Sequence, residues 1–450
     1  MSQRIVALLA TLFMVAATGL CGAAGEARVS TQTLPNGMRV TLTQDTLTDI
    51  AAFHLALVIS PADIPEANTG ARELIQQLML NRLRSAIQPD GELRELAEAI
   101  AADATFAISS EAEYVEARVS VPSDMLPLAL DAVAEAFFAD TQYTDEEVTA
   151  ARDQLVDAFG RAASSVTDRT YRLFRRALLG KSPLAEDIAS TLAGISGMTA
   201  EDAHSLRRDL YVPARCSIAL VTPLREDDAA AAVATAFAKY GAPAAPLALG
   251  PVKPADASAV RVAEGTDMAL ASMVVGVPLP GYGTRDFVAG QVAFMILGGK
   301  GGRLISDTRL SHGMGLALPK SVYEQQPAIE MVAPGPMSVP FLGAHIVANP
   351  AFIEDVREVV LAHFASIAAG KFTEEELAGA RDQLANQYAI AYDSYSARAQ
   401  FINLNAVFGG DAGLYAELPK LVDTITAEDV TRVAREYFAT HAIGLQMPAS

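Results

Sequence analysis

Six histidines and two cysteines are the side chains of this sequence best suited to hold a metal or attack a substrate. The histidines are His54, His204, His312, His345, His363 and His441, and the two closest stand 18 positions apart. A zinc site on one helix needs two histidines four positions apart, so that both imidazoles project from the same face. No pair has that spacing. Cys216 adjoins the apolar run Ile218-Ala219-Leu220-Val221, where a cysteine serves as a small core residue rather than a nucleophile. No Ser-His-Asp or Cys-His set stands out. Gly298-Gly299-Lys300-Gly301-Gly302 has the look of a phosphate loop, but a P-loop needs Ser or Thr after its Lys and a longer gap from the first Gly. These glycines are expected instead to end a helix and turn the backbone tightly over the interior.

The elements that position these residues come twice. Thr144-Asp145-Glu146-Glu147, which opens a helix running through Arg152-Asp153-Gln154-Leu155, returns as Thr373-Glu374-Glu375-Glu376 and Arg381-Asp382-Gln383-Leu384, 229 positions on. Thr199-Ala200-Glu201-Asp202 returns as Thr426-Ala427-Glu428-Asp429, 227 positions on. Helix starts resemble one another everywhere, but two echoes in register indicate two homologous domains in tandem, each far longer than a solenoid repeat of about 20–50 residues. In the first half, Pro35-Asn36-Gly37 turns into a strand, and Ile50–Ile59 reads as a second strand apolar enough to be buried on both faces. Helices follow from Gly70 to about Arg82, then at 91–102, 125–138, 145–163 and 200–211. A strand at 217–222 closes the half. The second half repeats the plan with strands at 270–277 and 442–446 and helices at 287–297, 353–368, 374–389 and 427–439. This order predicts an α+β fold in which each sheet is covered by helices on one side. Pro243, Pro246, Pro251 and Pro254 mark residues 241–256 as a semi-stiff connector, so the domains are expected at 25–240 and 257–450.

The formal charge is −19 and hydrophobic residues make up 51% of the chain, which argues against nucleic acid and anionic membrane surfaces as partners. Arg4, the apolar stretch Ile5–Leu20 and the small residues Gly22-Ala23-Ala24-Gly25 read as a cleavable export signal over residues 1–24, pointing to the periplasm or another part of the bacterial envelope. Leu20 is bulky where a lipoprotein box wants a small residue, which argues against a lipid anchor at Cys21. Removal of the leader leaves Cys216 as the one cysteine, with no intramolecular disulfide.

Three features together resemble the insulinase/pitrilysin family of zinc peptidases, in its smaller two-domain branch related to mitochondrial processing peptidase. They are Leu34-Pro35-Asn36-Gly37-Met38-Arg39-Val40, the tandem halves, and Leu297-Gly298-Gly299-Lys300-Gly301-Gly302-Arg303-Leu304 followed by Arg309. Active members carry an H-x-x-E-H motif on the helix after a Thr-Gly pair. Its histidines bind zinc, its Glu activates the metal-bound water, and a Glu from a later helix is the third ligand. Thr69-Gly70 is present here, and matching onward places Glu73, Gln76 and Gln77 where His, Glu and His would stand. The later helix aligns with Gln154 at the third-ligand position. A neutral amide binds zinc poorly and cannot act as a general base. The resemblance thus implies no catalytic residue and no metal or other cofactor in this chain, zinc being expected only in a partner subunit. A misaligned site elsewhere is the competing explanation.

The resemblance further implies that the second half contributes an Arg and a Tyr that hold substrate backbone beside the zinc. Arg309 matches the Arg; the Tyr position falls on Leu316, or on Leu318 if two residues are inserted. An ordinary surface ion pair is the alternative for Arg309. By the same resemblance, the expected fold is two tandem homologous domains forming half of a clamshell, each with a mainly antiparallel sheet. The expected function is that of a non-catalytic subunit pairing with an active zinc peptidase chain of the same family to enclose unfolded peptide. Two alternatives stand beside it: an active metallopeptidase with displaced ligands, and a stand-alone peptide-binding or assembly protein of the envelope.

Overall fold

A computed structural model describes residues 29–102, 104–185, 188–241, 253–255, 257–265, 268–300, 302–304, 328–332, 338–409 and 414–449. The expected leader, most of the connector, and Arg309, Leu316 and Leu318 lie outside the described residues.

The first half runs β1 (Val29–Thr33), β2 (Arg39–Gln44), β3 (Ile50–Val58), α1 (Ala71–Ala86), α2 (Arg94–Ala101), β4 (Thr105–Ser110) and β5 (Tyr114–Pro122). It continues with α3 (Leu126–Phe138), α4 (Asp145–Ser164), α5 (Val166–Leu179), α6 (Ile188–Gly197), α7 (Ala200–Leu210), β6 (Cys216–Thr222) and α8 (Glu226–Phe237). The second half runs β7 (Ala259–Gly265), β8 (Ala271–Pro278), α9 (Arg285–Gly298), β9 (Ala328–Val332), β10 (Phe341–Ala348) and α10 (Ile353–Ala368). It ends with α11 (Glu374–Asp393), α12 (Tyr395–Val407), α13 (Leu414–Asp423), α14 (Ala427–Tyr437) and β11 (Ala442–Pro448).

The sheets have the orders β1-β2-β6-β3-β5-β4 and β7-β11-β8-β10-β9, so β2, β6, β3, β5 and β4 find counterparts in β7, β11, β8, β10 and β9. The pairs β2–β6 and β7–β11 are parallel and the remaining pairs antiparallel. The repeated helix starts are capping boxes. Thr144 Oγ1 accepts from the Glu147 N–H at 3.2 Å while Glu147 accepts from the Thr144 N–H at 2.9 Å. Thr373 and Glu376 do the same at 3.1 and 2.7 Å. Each box satisfies two of the amides a helix start leaves without partners. Each capping glutamate also grips an arginine from earlier in its own half, Arg82 of α1 for Glu147 and Arg303 after the glycine loop for Glu376.

Helices cover both faces of the sheets, not one as expected. On β3, Phe53, Leu55 and Leu57 join the core formed with Leu74 and Ile75 of α1 and Leu130 and Val133 of α3. Full burial of each such side chain contributes about 1.5–3 kcal/mol. The alternate residues Ala52, His54 and Ala56 are also buried, and they face the opposite half. There α12 packs on β3, β6 and β5, while α5 of the first half packs on β11, β8 and β7. The two crossing helices begin 229 positions apart. Their arginines, Arg169 and Arg398, reach Gln446 and Asp45 at the ends of the opposite sheets, at 3.1 and 2.6 Å. The exchange was not anticipated, because the expected long helices end at 163 and 389 and no element is expected over the residues of α5 and α12. It is permitted by small residues on the receiving strands: a Cβ on Gly444 would sit 2.3 Å from Phe174 N and 2.5 Å from Thr170 O.

The glycine loop does end α9, with Gly302 N–H bonded to Gly299 O at 2.7 Å. Gln383 braces it by accepting from the Lys300 N–H at 2.6 Å. The strand at 216–222 does not close the first half, since α8 follows and packs on β2 and α3.

Candidate functional site

Gly70 adopts φ +90° and starts α1, and residues 73, 76 and 77 fall on its first two turns. Glu73 and Gln77, four positions apart, share a half-buried face, whereas Gln76 points inward and is 9% exposed. Each of the three is engaged. Glu73 accepts from Arg72 Nη2 at 2.5 Å. Arg72 is itself buried and donates to Ile59 O, Ala112 O and Ser110 Oγ, fixing α1 against the end of β3 and the turn between β4 and β5. Gln76 Nε2 donates to Ile108 O on the edge strand β4 at 3.3 Å. Gln77 Nε2 donates to Asn81 Oδ1 and to Gln154 Oε1 of α4, both at 2.8 Å.

The structure therefore brings Gln77 and Gln154 together, with Glu73 and Gln76 on the same helix. Zinc would require anionic or imidazole donors converging on one point. Here the two facing groups are neutral amides bonded directly to each other, and the nearby carboxylate is held by an arginine. Among the described residues no group of three or more His, Cys, Asp or Glu side chains could hold a metal. The residues present do not fit zinc. What the arrangement does is tie α1 to α4, alongside the Arg82–Glu147 pair at 2.6 Å.

A second polar cluster was not singled out from the sequence. His54 is fully buried; its Nε2 lies 2.8 Å from Glu116 Oε2 and its Nδ1 lies 2.9 Å from Asn403 Nδ2 of α12. Asn403 Nδ2 also reaches His54 O and Ser217 O, at 3.0 and 2.9 Å. Two carbonyl acceptors fix this amide orientation, so His54 Nδ1 must accept and the ring is neutral with its proton on Nε2. Burial holds His54 below its ordinary value, against the pull of Glu116. Burial pushes the Glu116 carboxyl up, but hydrogen bonds from His54 and Ser109 and the charge of Arg118 outweigh it and leave the group below the usual carboxylate range. The cluster joins the crossing helix to the opposite sheet, across 349 positions of sequence. Its partners are too distant for any local motif to reveal.

Residues 197–384 match the family model described as the peptidase M16 inactive domain. That stretch runs from the end of α6 into α11, and leaves α1 and its three substituted positions outside. An uncharacterized zinc protease of Mycobacterium leprae (strain TN) is 26% identical over 426 residues, covering 92% of this chain and 90% of that protein. Among solved structures, a protease from Helicobacter pylori superposes with a TM-score of 0.79 at 15% identity, covering 94% of this chain and all of that one. A peptidase M16 inactive domain from Pseudomonas fluorescens gives 0.77 at 17% identity, covering 94% and 98%. A chain of complex III2 from Candida albicans gives 0.72 at 13%, covering 93% and 96%. These structural likenesses establish the fold.

Proposed function

We propose that this chain, similar over residues 197–384 to the peptidase M16 inactive domain and along most of its length to a zinc protease, is an exported, non-catalytic subunit of the insulinase/pitrilysin peptidase family. It pairs with an active zinc-bearing chain of the same family to enclose and process unfolded peptide. The observation that carries this reading is the state of the α1–α4 site. The tandem fold is retained among the described residues, yet Gln77 and Gln154 meet amide to amide at 2.8 Å where, by the resemblance, an active member would hold a metal. The position of the general base is lost, because Gln76 is neutral and its amide is used on Ile108 O, and the nearby Glu73 carboxylate is held by Arg72.

The chain's contribution is then to complete a substrate wall. The edge strand β4 bonds only to β5 within its sheet, which suits an extended peptide that pairs by main-chain hydrogen bonds. Arg309 adds a charged hydrogen bond to a peptide carbonyl or carboxylate. The test is a complex reconstituted with a homologue that has H-x-x-E-H intact. Arg309→Ala should lower the catalytic efficiency of that complex by about 10-fold to 150-fold, the equivalent of roughly 1.5–3 kcal/mol for a lost charged hydrogen bond, while leaving subunit association intact. Unchanged turnover in a verified complex would make Arg309 an ordinary surface residue.

A further inference from the structure

Arg207 on α7 is 4% exposed and has no acidic partner among the described residues. Its Nη1 donates to Tyr143 Oη at 2.6 Å, and its Nη2 donates to Ala136 O and Ala139 O at 2.7 and 3.3 Å. It also lies 5.7 and 5.8 Å from the ring centroids of Tyr143 and Tyr211. All these partners are neutral. A buried guanidinium cannot shed its proton, and a buried charge is ordinarily matched by an opposite one. This one instead lines a cavity of about 400 Å³ between α1, α3 and α7, within the size range of small-molecule sites.

The apolar part of the lining comes from Met79 and Leu83 of α1 and Leu128 and Ala132 of α3. The other two cations are already matched, Arg82 by Glu147 at 2.6 Å and Lys239 by Asp131 at 3.4 Å. Of the remaining acids, Glu135 accepts from Tyr240 Oη at 2.6 Å and Glu92 is exposed. Arg207 is thus the one lining cation without a carboxylate beside it among the described residues, and it is the buried one, whereas Glu92 and Glu135 are exposed to solvent. We propose that this cavity is a binding site for a small carboxylate with an aliphatic body, its chain against Met79, Leu83, Leu128 and Ala132 and its anionic head on Arg207. The site stands on observations separate from the zinc question and faces a different part of α1.

Octanoate, octanol and octylamine titrated into the full chain by isothermal calorimetry test the assignment. One saturable octanoate site per chain is expected, with octanol at least tenfold weaker and no octylamine binding. Arg207→Gln, checked for an unchanged circular dichroism spectrum, should weaken octanoate at least tenfold. Because that buried position also braces the fold, Ala132→Phe provides an independent arm: it fills the apolar end, keeps Arg207 in place, and should weaken octanoate to the same degree. Absence of saturable octanoate binding, octanol binding as tight as octanoate, or undiminished affinity in the folded variants would overturn the proposal.

Discussion

The contact between Gln77 and Gln154 spans α1 and α4 over 2.8 Å, and a hydrogen bond of this kind contributes about 0.5–1.5 kcal/mol net. Structural zinc contributes roughly ten times as much, so the amide bond alone cannot replace a metal as a clamp. The helices are held instead by packing, with Leu74, Leu78, Val148, Ala151 and Leu155 all buried in one core. A scaffold stabilised this way should tolerate restored ligands. Glu73→His, Gln76→Glu, Gln77→His and Gln154→Glu together should create a zinc site, because positions 73 and 77 share a helix face and 154 already meets 77. Elemental analysis should find about one zinc per folded chain; a folded variant without zinc would place the Gln154 register in error. Gln77 was legible from the Thr69-Gly70 pair preceding it, and Gln154 from the register of a capped helix. Arg207 gave no signal, since nothing local in its sequence states that its partners are a phenol and two carbonyls.

At the scale of elements, the repeat was readable where its physics is local. Thr144 and Glu147, like Thr373 and Glu376, satisfy each other's amides three positions apart, so the capping box is written in a single tetrapeptide. The exchange of α5 and α12 is not local. It depends on Phe174 and Thr170 meeting Gly444, about 270 positions away, and on strand faces kept small for a helix from the other half. Gly444→Val places side-chain atoms where Phe174 N and Thr170 O already stand. It should destabilise the chain by about 1–3 kcal/mol or more through overpacking, measured as a lower urea midpoint. Stability equal to that of the parent would mean that α5 does not approach β11 this closely.

At the scale of the molecule, the buried histidines make the joined halves sensitive to acid. Burial holds both His54 and His345 below the ordinary histidine value. His54 meets α12 through Asn403, and His345 meets α5 through Ser272 and Thr170. In the unfolded chain each titrates near about 6.5. Below that pH the unfolded state binds more protons than the folded one, so their contribution is complete above about 6.5 and is lost as pH falls toward the folded values. The urea midpoint should therefore drop between about pH 7.5 and 5.5, above the range where carboxylates such as Glu147 and Glu376 titrate. His54→Gln should reduce that slope whatever it does to stability at neutral pH. An unchanged slope would assign the acid sensitivity to other groups.

An M16-type fold without a metal centre of its own is what the chain is proposed to be. Elemental analysis of the purified full chain, paired with a peptidase assay on unstructured peptide with and without chelator, tests it most directly. The chain alone should hold no stoichiometric zinc and show no chelator-sensitive cleavage. One tightly held zinc per chain together with chelator-sensitive cleavage would contradict it.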